Sequence, residues 1–355
     1  MKNKIIIKFS SAAGAKTTVT IGEGEASKLV GKSKQAYIVA DRQFVSLYPS
    51  LFPAERVFLT DAGECAKSLE KLEMLLTWLS ENRCTRENSI IAVGGGTVGD
   101  LAGFAAAVYM RGIRWSVIPT TLLSMADSCI GGKTAVNMGK IKNLAGAFHQ
   151  PDIVAVDPSF LVTLPDGDYL SGMGEIIKTA VIADKSLFTL LYREHGTVTA
   201  RDTALMKEVL TCCCRHKAEI VSSDPCESDK RMILNAGHTI AHAIESDSGY
   251  RIPHGQAVAT GLYLETVIGE KLKYTEKKTA AKIADLLSRY DCPVSYCPSS
   301  FENFIKAITP DKKQRGESIY IPFIENIGKT AVRKLEPQLF YNELRMLYNS
   351  ISKYK

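Results

Sequence analysis

Three of the six histidines in this 355-residue chain lie close together, at His238, His242 and His254. Histidine both titrates near neutral pH and binds transition metals, so this grouping indicates a metal site or a proton-transfer site. Two histidines buried for packing alone are the simpler alternative. The neighbouring residues favour a functional site, because other polar groups share the same spacing.

A single helix is predicted over residues 231–244. It would place Arg231, Asn235, His238 and His242 on one narrow stripe, with apolar residues on its other faces. A helix that is apolar on most sides is normally buried. The polar stripe is therefore expected to line an internal cleft.

Composition indicates an ordinary globular protein of two domains, since 45% of residues are hydrophobic and 23% are charged. No apolar stretch is long enough to cross a bilayer, and the run 4–9 predicts a strand instead of a signal peptide. The net charge of +6 is mild, and no basic stripe with interleaved aromatic residues is visible. This argues against a nucleic-acid or membrane partner and favours a small anionic ligand.

The nine cysteines are an odd number, and Cys212, Cys213 and Cys214 are consecutive on a predicted helix. Adjacent helical positions point to different sides, which argues against a metal cluster there. The pattern fits a reducing, cytoplasmic compartment better than a disulfide framework.

The chain changes character near residue 160. Before it, β-branched runs alternate with helical patterns, which is typical of a parallel α/β sheet. Strands are predicted over 4–9, 36–40, 56–59, 90–93, 115–119 and 153–156. Beyond it, helices are predicted over 175–194, 203–221, 257–272 and 338–347, with few strand-like runs.

The predicted fold class is therefore α/β. A Rossmann-like, parallel-sheet, nucleotide-binding domain is expected over residues 1–160, and a mostly α-helical domain over 161–355. Ligands are expected in the crevice between the two domains.

A glycine-rich turn follows the strand predicted over 90–93. Gly94, Gly96 and Gly99 form a G-x-G-x-x-G pattern before a helix predicted over 101–110, which suits backbone amides that approach a pyrophosphate. The acid expected about 20 residues later is missing, and Asp41 is the better candidate for a ribose contact. A tight turn needed only for packing is the alternative.

A series of motifs then resembles the 3-dehydroquinate synthase family and extends from about Asp41 to Lys313. The motifs are Ile118-Pro-Thr-Thr-Leu-Leu123, Asp127-Ser-Cys-Ile-Gly-Gly-Lys-Thr-Ala-Val-Asn137, Lys142-Asn-Leu-Ala-Gly-Ala-Phe-His-Gln-Pro151, Thr163-Leu-Pro165, Gly174-Glu-Ile-Ile-Lys178, Asn235-Ala-Gly-His-Thr-Ile-Ala-His242 and His254-Gly255. Glycerol dehydrogenase-like enzymes and other sugar phosphate cyclases share the glycine turn and the metal arrangement.

The resemblance implies a carbon-oxygen lyase of the shikimate pathway, which serves aromatic amino acid biosynthesis. Its substrate would be 3-deoxy-D-arabino-heptulosonate 7-phosphate, its products 3-dehydroquinate and phosphate, and its cofactors NAD and one divalent metal, zinc or cobalt. NAD would be used catalytically, because one site both oxidises and reduces. A homodimer is also implied. Another sugar phosphate cyclase and an NAD- and metal-dependent alcohol dehydrogenase remain alternatives.

The resemblance also implies roles for particular residues. The metal ligands would be Glu175, His238 and His254. Substrate and catalytic contacts would come from Arg111, Asp127, Lys133, Asn143, Lys178, Lys217, Arg231, Asn235, His242 and either Lys312 or Lys313, which the sequence alone does not separate. Arg111 would reach the site of a neighbouring subunit. Without the resemblance, Glu175 and Lys178 would be interpreted as an exposed helical ion pair.

The NAD contacts implied by the resemblance lie mainly in the first half of the chain. They are Asp41, Glu64, Lys67, Gly95, Gly96, Thr97, Val98, Gly99, Asp100, Thr120, Thr121, Lys133, Lys142, Phe160 and Thr163. A helix cap is the alternative for Thr120 and Thr121. The chain departs from the family pattern at Gly167-Asp168 and at Gln256, where a hinge and the support of His254 could differ.

Overall fold

The computed structural model describes residues 4–8, 16–53, 55–61, 63–139, 141–227, 229–308 and 318–352. The chain forms two compact units. The first comprises residues 1–164 and 203–226, and the second comprises 165–202 and 227–355. The segment 203–226 thus groups with the first unit, although it follows part of the second along the chain. The sequence-level division at residue 160 stays a prediction.

The first unit contains a seven-stranded sheet with the order β1-β2-β9-β6-β5-β3-β4. Its strands are β1 (Lys4–Lys8), β2 (Lys16–Ile21), β3 (Tyr37–Asp41), β4 (Val57–Thr60), β5 (Ser89–Gly94), β6 (Arg114–Pro119) and β9 (Ile153–Val156). Strand β1 pairs antiparallel with β2, and the other pairings are parallel. This confirms the predicted parallel α/β sheet.

Helices and a hairpin complete the first unit. The helices are α1 (Glu25–Lys32), α2 (Arg42–Leu47), α3 (Leu69–Glu81), α4 (Gly96–Val108) and α8 (Thr203–Ser223), and a π-helical turn covers Ser124–Ser128. The hairpin consists of β7 (Lys133–Met138) and β8 (Ile141–Phe148). Buried helical residues such as Leu75 and Leu101 provide apolar contacts that cover the sheet.

The predicted strands of the first unit are observed to within one residue at each end, apart from residue 9, which lies outside the described residues. Two features were missed. Strand β2 alternates polar and apolar residues, and the hairpin β7–β8 lies in a polar segment that was assigned to substrate and cofactor contacts. The helix predicted over 101–110 instead begins at Gly96 and ends at Val108.

The second unit is mainly helical, as predicted, but it also contains an antiparallel hairpin that the sequence did not indicate. Its elements are α5 (Asp166–Ala183), α6 (Lys185–Arg193), α7 (His195–Thr199), α9 (His238–Asp247), α10 (His254–Lys271), α11 (Thr279–Arg289), α12 (Phe301–Ile308), β10 (Ile319–Asn326), β11 (Lys329–Leu335) and α13 (Pro337–Ser352). Its core joins apolar residues of α9, α10, α12, α13 and the hairpin.

Two predicted helices of this unit were wrong in extent. Residues 231–244 do not form one helix, because a 3₁₀ helix ends at Asn235 and α9 begins only at His238. Gly237 separates them with a left-handed φ of 81°. The segment predicted as 175–194 is two helices that meet at Asp184, whose side chain caps α6. Among the described residues, no helix has the length and hydropathy required to cross a membrane.

Candidate active site

The glycine-rich turn lies between β5 and α4, as the motif predicts. A Cβ at Gly94 would lie 2.5 Å from Val98 Cγ2, so packing requires glycine there. A Cβ at Gly96 would lie 3.1 Å from Ser128 Oγ, whereas one at Gly99 would meet nothing within 4 Å. Packing therefore accounts for Gly94 but not for Gly99, which leaves room for a close approach to the start of α4.

Polar side chains from three separate segments meet beside this turn. Lys67 Nζ donates short hydrogen bonds to Asp100 Oδ2 and Asn143 Oδ1. Asn137 links the backbone N–H of Asn143 (2.9 Å) to Glu64 Oε1 (2.9 Å). Burial raises the pKa of Asp100 to about 6, although the charge of Lys67 opposes it. The structure therefore brings three predicted cofactor residues, Glu64, Lys67 and Asp100, into one cluster with Asn143, which was predicted to contact substrate.

A small cleft adjoins this cluster within the first unit. It is lined by Gly96, Gly99, Asp100, Ser128 and Lys133 among others. Four of these five were predicted to contact cofactor, and Lys133 was also predicted to contact substrate. Their side chains and backbone amides suit an anionic ligand.

Several other predicted cofactor residues have local structural roles. Asp41 ends β3 and caps α2, since its Oδ1 accepts from the backbone N–H groups of Gln43 (2.8 Å) and Phe44 (3.2 Å). Thr121 Oγ1 accepts from the N–H of Ser124 at 3.2 Å, so the helix-cap alternative is observed at this position. Thr120 is buried.

Two further predicted cofactor residues of this unit, Phe160 and Thr163, lie in a 3₁₀ helix. Phe160 packs edge-on against Tyr48, with ring centroids 5.0 Å apart, and the Tyr48 hydroxyl lies 2.9 Å from Thr163 Oγ1. Among the remaining predicted contacts, Thr97 and Val98 belong to the first turn of α4, and Lys142 to β8.

Two residues predicted to bind substrate form an ion pair in the first unit. Lys217 of α8 is buried, and its Nζ lies 2.7 Å from Asp127 Oδ1 and 2.5 Å from the Asp127 carbonyl oxygen. Arg111 is exposed and lies in a turn where Met110 (φ 47°) and Arg111 (φ 67°) are both left-handed. Such a conformation is costly for side-chain-bearing residues.

The second unit brings together Glu175, His238 and His254. Glu175 lies within α5, whereas His238 and His254 are the first residues of α9 and α10. Glu175 Oε1 is 3.7 Å from His238 Nε2 and 3.5 Å from His254 Nε2, and one potential ligand atom from each residue lies within 4.8 Å of the others. One carboxylate and two imidazoles at this spacing match the ligand set of a catalytic zinc site.

Glycines allow the three helices of this cluster to come close. A Cβ at Gly255 would lie 1.7 Å from the Ser171 carbonyl oxygen, and one at Gly261 would lie 2.0 Å from the Gly237 carbonyl oxygen. Backbone-to-backbone contact of this kind excludes any side chain. It joins α10 to α5 on one side and to the start of α9 on the other.

The Glu175–Lys178 pair is buried, which contradicts its interpretation as an exposed ion pair. Both side chains are at most 2% exposed, and Lys178 Nζ lies 2.5 Å from Glu175 Oε2. Burial alone would raise the pKa of Glu175, but the charge of Lys178 and the nearby His254 outweigh it and lower that pKa. Glu175 is therefore a carboxylate, the form that binds metal.

The ring nitrogens of the two histidines are used in the same way. His238 Nδ1 lies 3.2 Å from the Ala236 carbonyl oxygen, and His254 Nδ1 lies 3.4 Å from Glu245 Oε1. Each ring thus presents Nε2 to Glu175. Apart from the ion pair between Oε2 and Lys178, the buried oxygens of Glu175 have no hydrogen-bond partner in the described structure. A cation between Glu175 Oε1 and the two histidine Nε2 atoms would satisfy all three groups.

The remaining predicted residues of this unit lie near the same helices. Arg231 is buried in the 3₁₀ helix, and Asn235 Nδ2 donates to Glu227 Oε1 at 2.9 Å. His242 lies one turn beyond His238 and is exposed, with the two ring centroids 5.6 Å apart. Because the helix breaks at Gly237, the prediction of one continuous helical stripe through Arg231, Asn235, His238 and His242 is wrong.

Some residues were missed or lie elsewhere. Lys312 and Lys313 lie outside the described residues. Gly167 and Asp168 lie in the exposed first turn of α5, and Gln256 lies in the first turn of α10. Sequence reasoning missed Glu245, although its position seven residues after His238 places both on one face of α9. It also missed Glu265, for which no local pattern gave a signal.

Structural relatives define the class of fold. A 2-deoxy-scyllo-inosose synthase complexed with carbaglucose-6-phosphate, NAD⁺ and Co²⁺ has a TM-score of 0.85 at 23% identity, covering 97% of this chain and 99% of that one. A 2-epi-5-epi-valiolone synthase from Streptomyces hygroscopicus subsp. jinggangensis, with NAD⁺ and Zn²⁺, has a TM-score of 0.87 at 24% identity, with the same coverage. The fold is that of the sugar phosphate cyclases, as predicted.

Sequence comparison defines the family. The model for the N-terminal part of 3-dehydroquinate synthase matches residues 57–171, and the model for its C-terminal part matches residues 172–314. A 3-dehydroquinate synthase of Enterococcus faecalis is 42% identical over 290 residues, covering 81% of this chain and 79% of that protein. One of Shewanella frigidimarina is 39% identical over 311 residues, covering 84% and 86%. The chain belongs to the 3-dehydroquinate synthase family, as its motifs predicted.

Proposed function

We propose that this chain converts 3-deoxy-D-arabino-heptulosonate 7-phosphate into 3-dehydroquinate and phosphate, as a carbon-oxygen lyase of aromatic amino acid biosynthesis. One observation carries the proposal. In a member of this family, Glu175, His238 and His254 form a ligand set around a buried carboxylate, and that carboxylate is paired with the buried Lys178. A non-catalytic relative would have no need to retain an ion pair at such a desolvation cost.

Glu175, His238 and His254 would hold one divalent ion, with Zn²⁺ and Co²⁺ as the candidates. Two imidazoles and a carboxylate leave coordination positions for substrate hydroxyls. When bound, the ion would supply Lewis acidity that favours removal of a hydride from the substrate alcohol. Lys178 Nζ lies 2.5 Å from Glu175 Oε2 and keeps Glu175 ionised, which is the form that binds a metal.

The glycine turn and the polar cluster around Lys67 would hold NAD. The first-turn amides of α4 and the open space at Gly99 suit a pyrophosphate, and the adjoining cleft is lined by the same residues. When bound, the nicotinamide would supply a hydride acceptor that is regenerated within each turnover. Lys67 adds a cation, with Asp100 and Asn143 fixing its position.

The substrate carries a carboxylate and a phosphate, and the predicted substrate residues supply matching cations. In the first unit these are Lys133 and Lys217, with Asn143 for hydroxyl groups, and Asp127 orients Lys217 at 2.7 Å. In the second unit Arg231 and Asn235 serve the same purpose, and the exposed ring of His242 can transfer protons. Either Lys312 or Lys313 is proposed as a further substrate contact.

A homodimer and a cytoplasmic location are also proposed. The strained turn at Met110 and Arg111 presents an exposed guanidinium, which would reach a second copy of the chain. All nine cysteines lie in the described part of the chain and none of them forms a disulfide, which supports a reducing compartment. Gel filtration of the wild-type protein would test whether the proposed dimer forms. Turnover of Arg111→Ala would test whether activity depends on Arg111.

The decisive assay measures phosphate release from the heptulosonate phosphate with NAD below the enzyme concentration. The expected result is many turnovers per NAD, because the hydride returns to the product. An alcohol dehydrogenase would instead accumulate NADH without phosphate, and that result would contradict the proposal. Release of phosphate only from a different sugar phosphate would identify another cyclase.

A further inference from the structure

Two glutamates outside the predicted site contact the segments that carry the two clustered histidines. We propose that helices α9 and α10 position each other's metal ligand. Glu245 of α9 fixes the ring of His254 on α10, and Glu265 of α10 fixes the backbone that carries His238 on α9. This inference rests on the proposed function, because it takes Glu175, His238 and His254 to bind a divalent cation.

Glu245 acts directly on a ring nitrogen. Its side chain is 12% exposed, and its Oε1 lies 3.4 Å from His254 Nδ1. A hydrogen bond from Nδ1 to a carboxylate leaves Nε2 as the free lone pair and fixes the plane of the ring. The ring then directs Nε2 toward Glu175 Oε1, 3.5 Å away. His254 is 35% exposed, so packing constrains its ring less than that of His238, at 13%.

Glu265 acts through the backbone. It is 2% exposed, and its carboxylate accepts hydrogen bonds from the N–H groups of Gly237 (2.7 Å), Thr239 (3.1 Å) and Ile240 (3.3 Å). These groups lie on both sides of His238 and are donors that a helix start cannot satisfy internally. A buried carboxylate at this helix end forms charge-assisted bonds and is favoured by the helix dipole. The backbone of His238 is thereby fixed.

Close packing makes the two contacts interdependent. The Gly237 carbonyl oxygen would lie only 2.0 Å from a Cβ placed at Gly261, so the backbones of α9 and α10 touch one turn from Glu265. Neither helix can shift without moving the other. A change at either glutamate should therefore alter the positions of both histidines.

The test is titration of the metal-free, full-length protein with Co²⁺ alone, which reports both affinity and ligand geometry through its visible absorption. The test variants are Glu245→Gln and Glu265→Gln. Loss of such an outer contact typically weakens metal affinity about 10- to 100-fold. We expect a loss in this range for both variants, together with a changed Co²⁺ spectrum.

Each test variant has a matched control on the same helix. Asp247→Asn changes a carboxylate of α9 that contacts Ser299 and Tyr296 but neither histidine. Glu270→Gln changes a carboxylate of α10 that caps a different helix, by accepting from the Ala280 N–H at 2.8 Å. Both controls should bind Co²⁺ within about twofold of wild type, because neither contact reaches a ligand.

Unchanged Co²⁺ affinity and spectrum in both test variants would overturn the inference. His254→Ala separates this failure from that of the proposed function. If His254→Ala also binds Co²⁺ like wild type, then the metal site itself is wrong; if it loses Co²⁺ while both glutamine variants retain it, only the positioning role is wrong. Should Glu265→Gln fail to fold, Glu265→Asp replaces it, and wild-type affinity there would equally contradict the inference.

Discussion

The glycine turn of the first unit and the histidine cluster of the second form their candidate ligand sites from different chemical groups. The turn offers backbone amides at the start of α4 and partly exposed side chains such as Asp100, at 27%. The cluster offers side chains around a carboxylate that is 1% exposed. A backbone site depends on local conformation, whereas a buried side-chain site depends on the helices that hold each ligand.

The difference predicts how each region responds to change. The turn should tolerate side-chain substitutions that fit its space, because its donors belong to the main chain. The cluster should be sensitive to the loss of any charge, because its groups are desolvated. Four predictions test this contrast.

Removal of the metal should have the largest effect. Treatment with a chelator should reduce turnover by about 10³-fold or more, since Lewis-acid stabilisation is worth several kcal/mol. Added Zn²⁺ or Co²⁺ should restore turnover. Binding of NAD to the same chelated protein, measured by calorimetry, should change little. Full turnover after metal removal is verified by elemental analysis would disprove the three-ligand site.

Lys178→Ala should destabilise the metal-free protein by about 3–5 kcal/mol, because the buried carboxylate of Glu175 would lose its nearest cation. Bound Zn²⁺ should reduce this loss by compensating the same carboxylate. Chemical unfolding with and without Zn²⁺ measures both values. The matched control is Lys28→Ala, which breaks the exposed pair with Glu25. That control should cost about 1 kcal/mol or less, and equal losses in the two variants would refute the contrast.

Alanine substitutions at two glycines should have opposite effects on stability. Gly261→Ala would place its Cβ 2.0 Å from the Gly237 carbonyl oxygen and should cost about 1–3 kcal/mol or more. Gly99→Ala meets nothing within 4 Å in α4 and should raise stability by about 0.5–1 kcal/mol while weakening NAD binding. Thermal unfolding and NAD titration give the two readouts. Unchanged NAD affinity in Gly99→Ala would remove that residue from the proposed cofactor site.

The smallest effect concerns pH and Asp247. Burial opposes its ionisation, but hydrogen bonds from Tyr296 and Ser299 outweigh burial and lower the pKa of Asp247 below its ordinary 3.8. Its stabilising contribution is therefore complete above about pH 4 and is lost as pH falls through the folded-state pKa. Asp247→Asn should cost about 0.5–1.5 kcal/mol at pH 7. Urea unfolding from pH 7 to 3 should show this difference shrink only at the acidic end, and a constant difference would contradict the assignment.

The parts of the molecule that were predictable from sequence are those set by nearby residues. The strand 153–156 was predicted with its observed bounds, because a short β-branched run between turns has few other solutions. The glycine turn was also predicted correctly, because its whole pattern lies within a few consecutive residues. The single helix predicted over 231–244 was wrong, because the periodicity continues through Gly237, and neither its positive φ nor its close approach to Gly261 is visible in the periodicity.

Long-range contacts account for the remaining misses. Glu175 and Lys178 were identified through family motifs, but their burial follows from packing that no local pattern records. Glu265 lies 28 residues from the Gly237 amide that it accepts from, so its role could not be derived from spacing. The hairpin β10–β11 was missed in a region of predominantly helical periodicity.

The contacts of Glu265 also determine how the second unit opens. The N–H groups of Gly237, Thr239 and Ile240 are bound to a carboxylate on another helix, so their hydrogens can exchange with solvent only when α9 and α10 separate. Amides at a helix start usually exchange quickly, because they lack partners within the helix. Here they should be among the slowly exchanging amides of α9. Exchange measured at these three positions would therefore record the opening of the helix pair as one cooperative event.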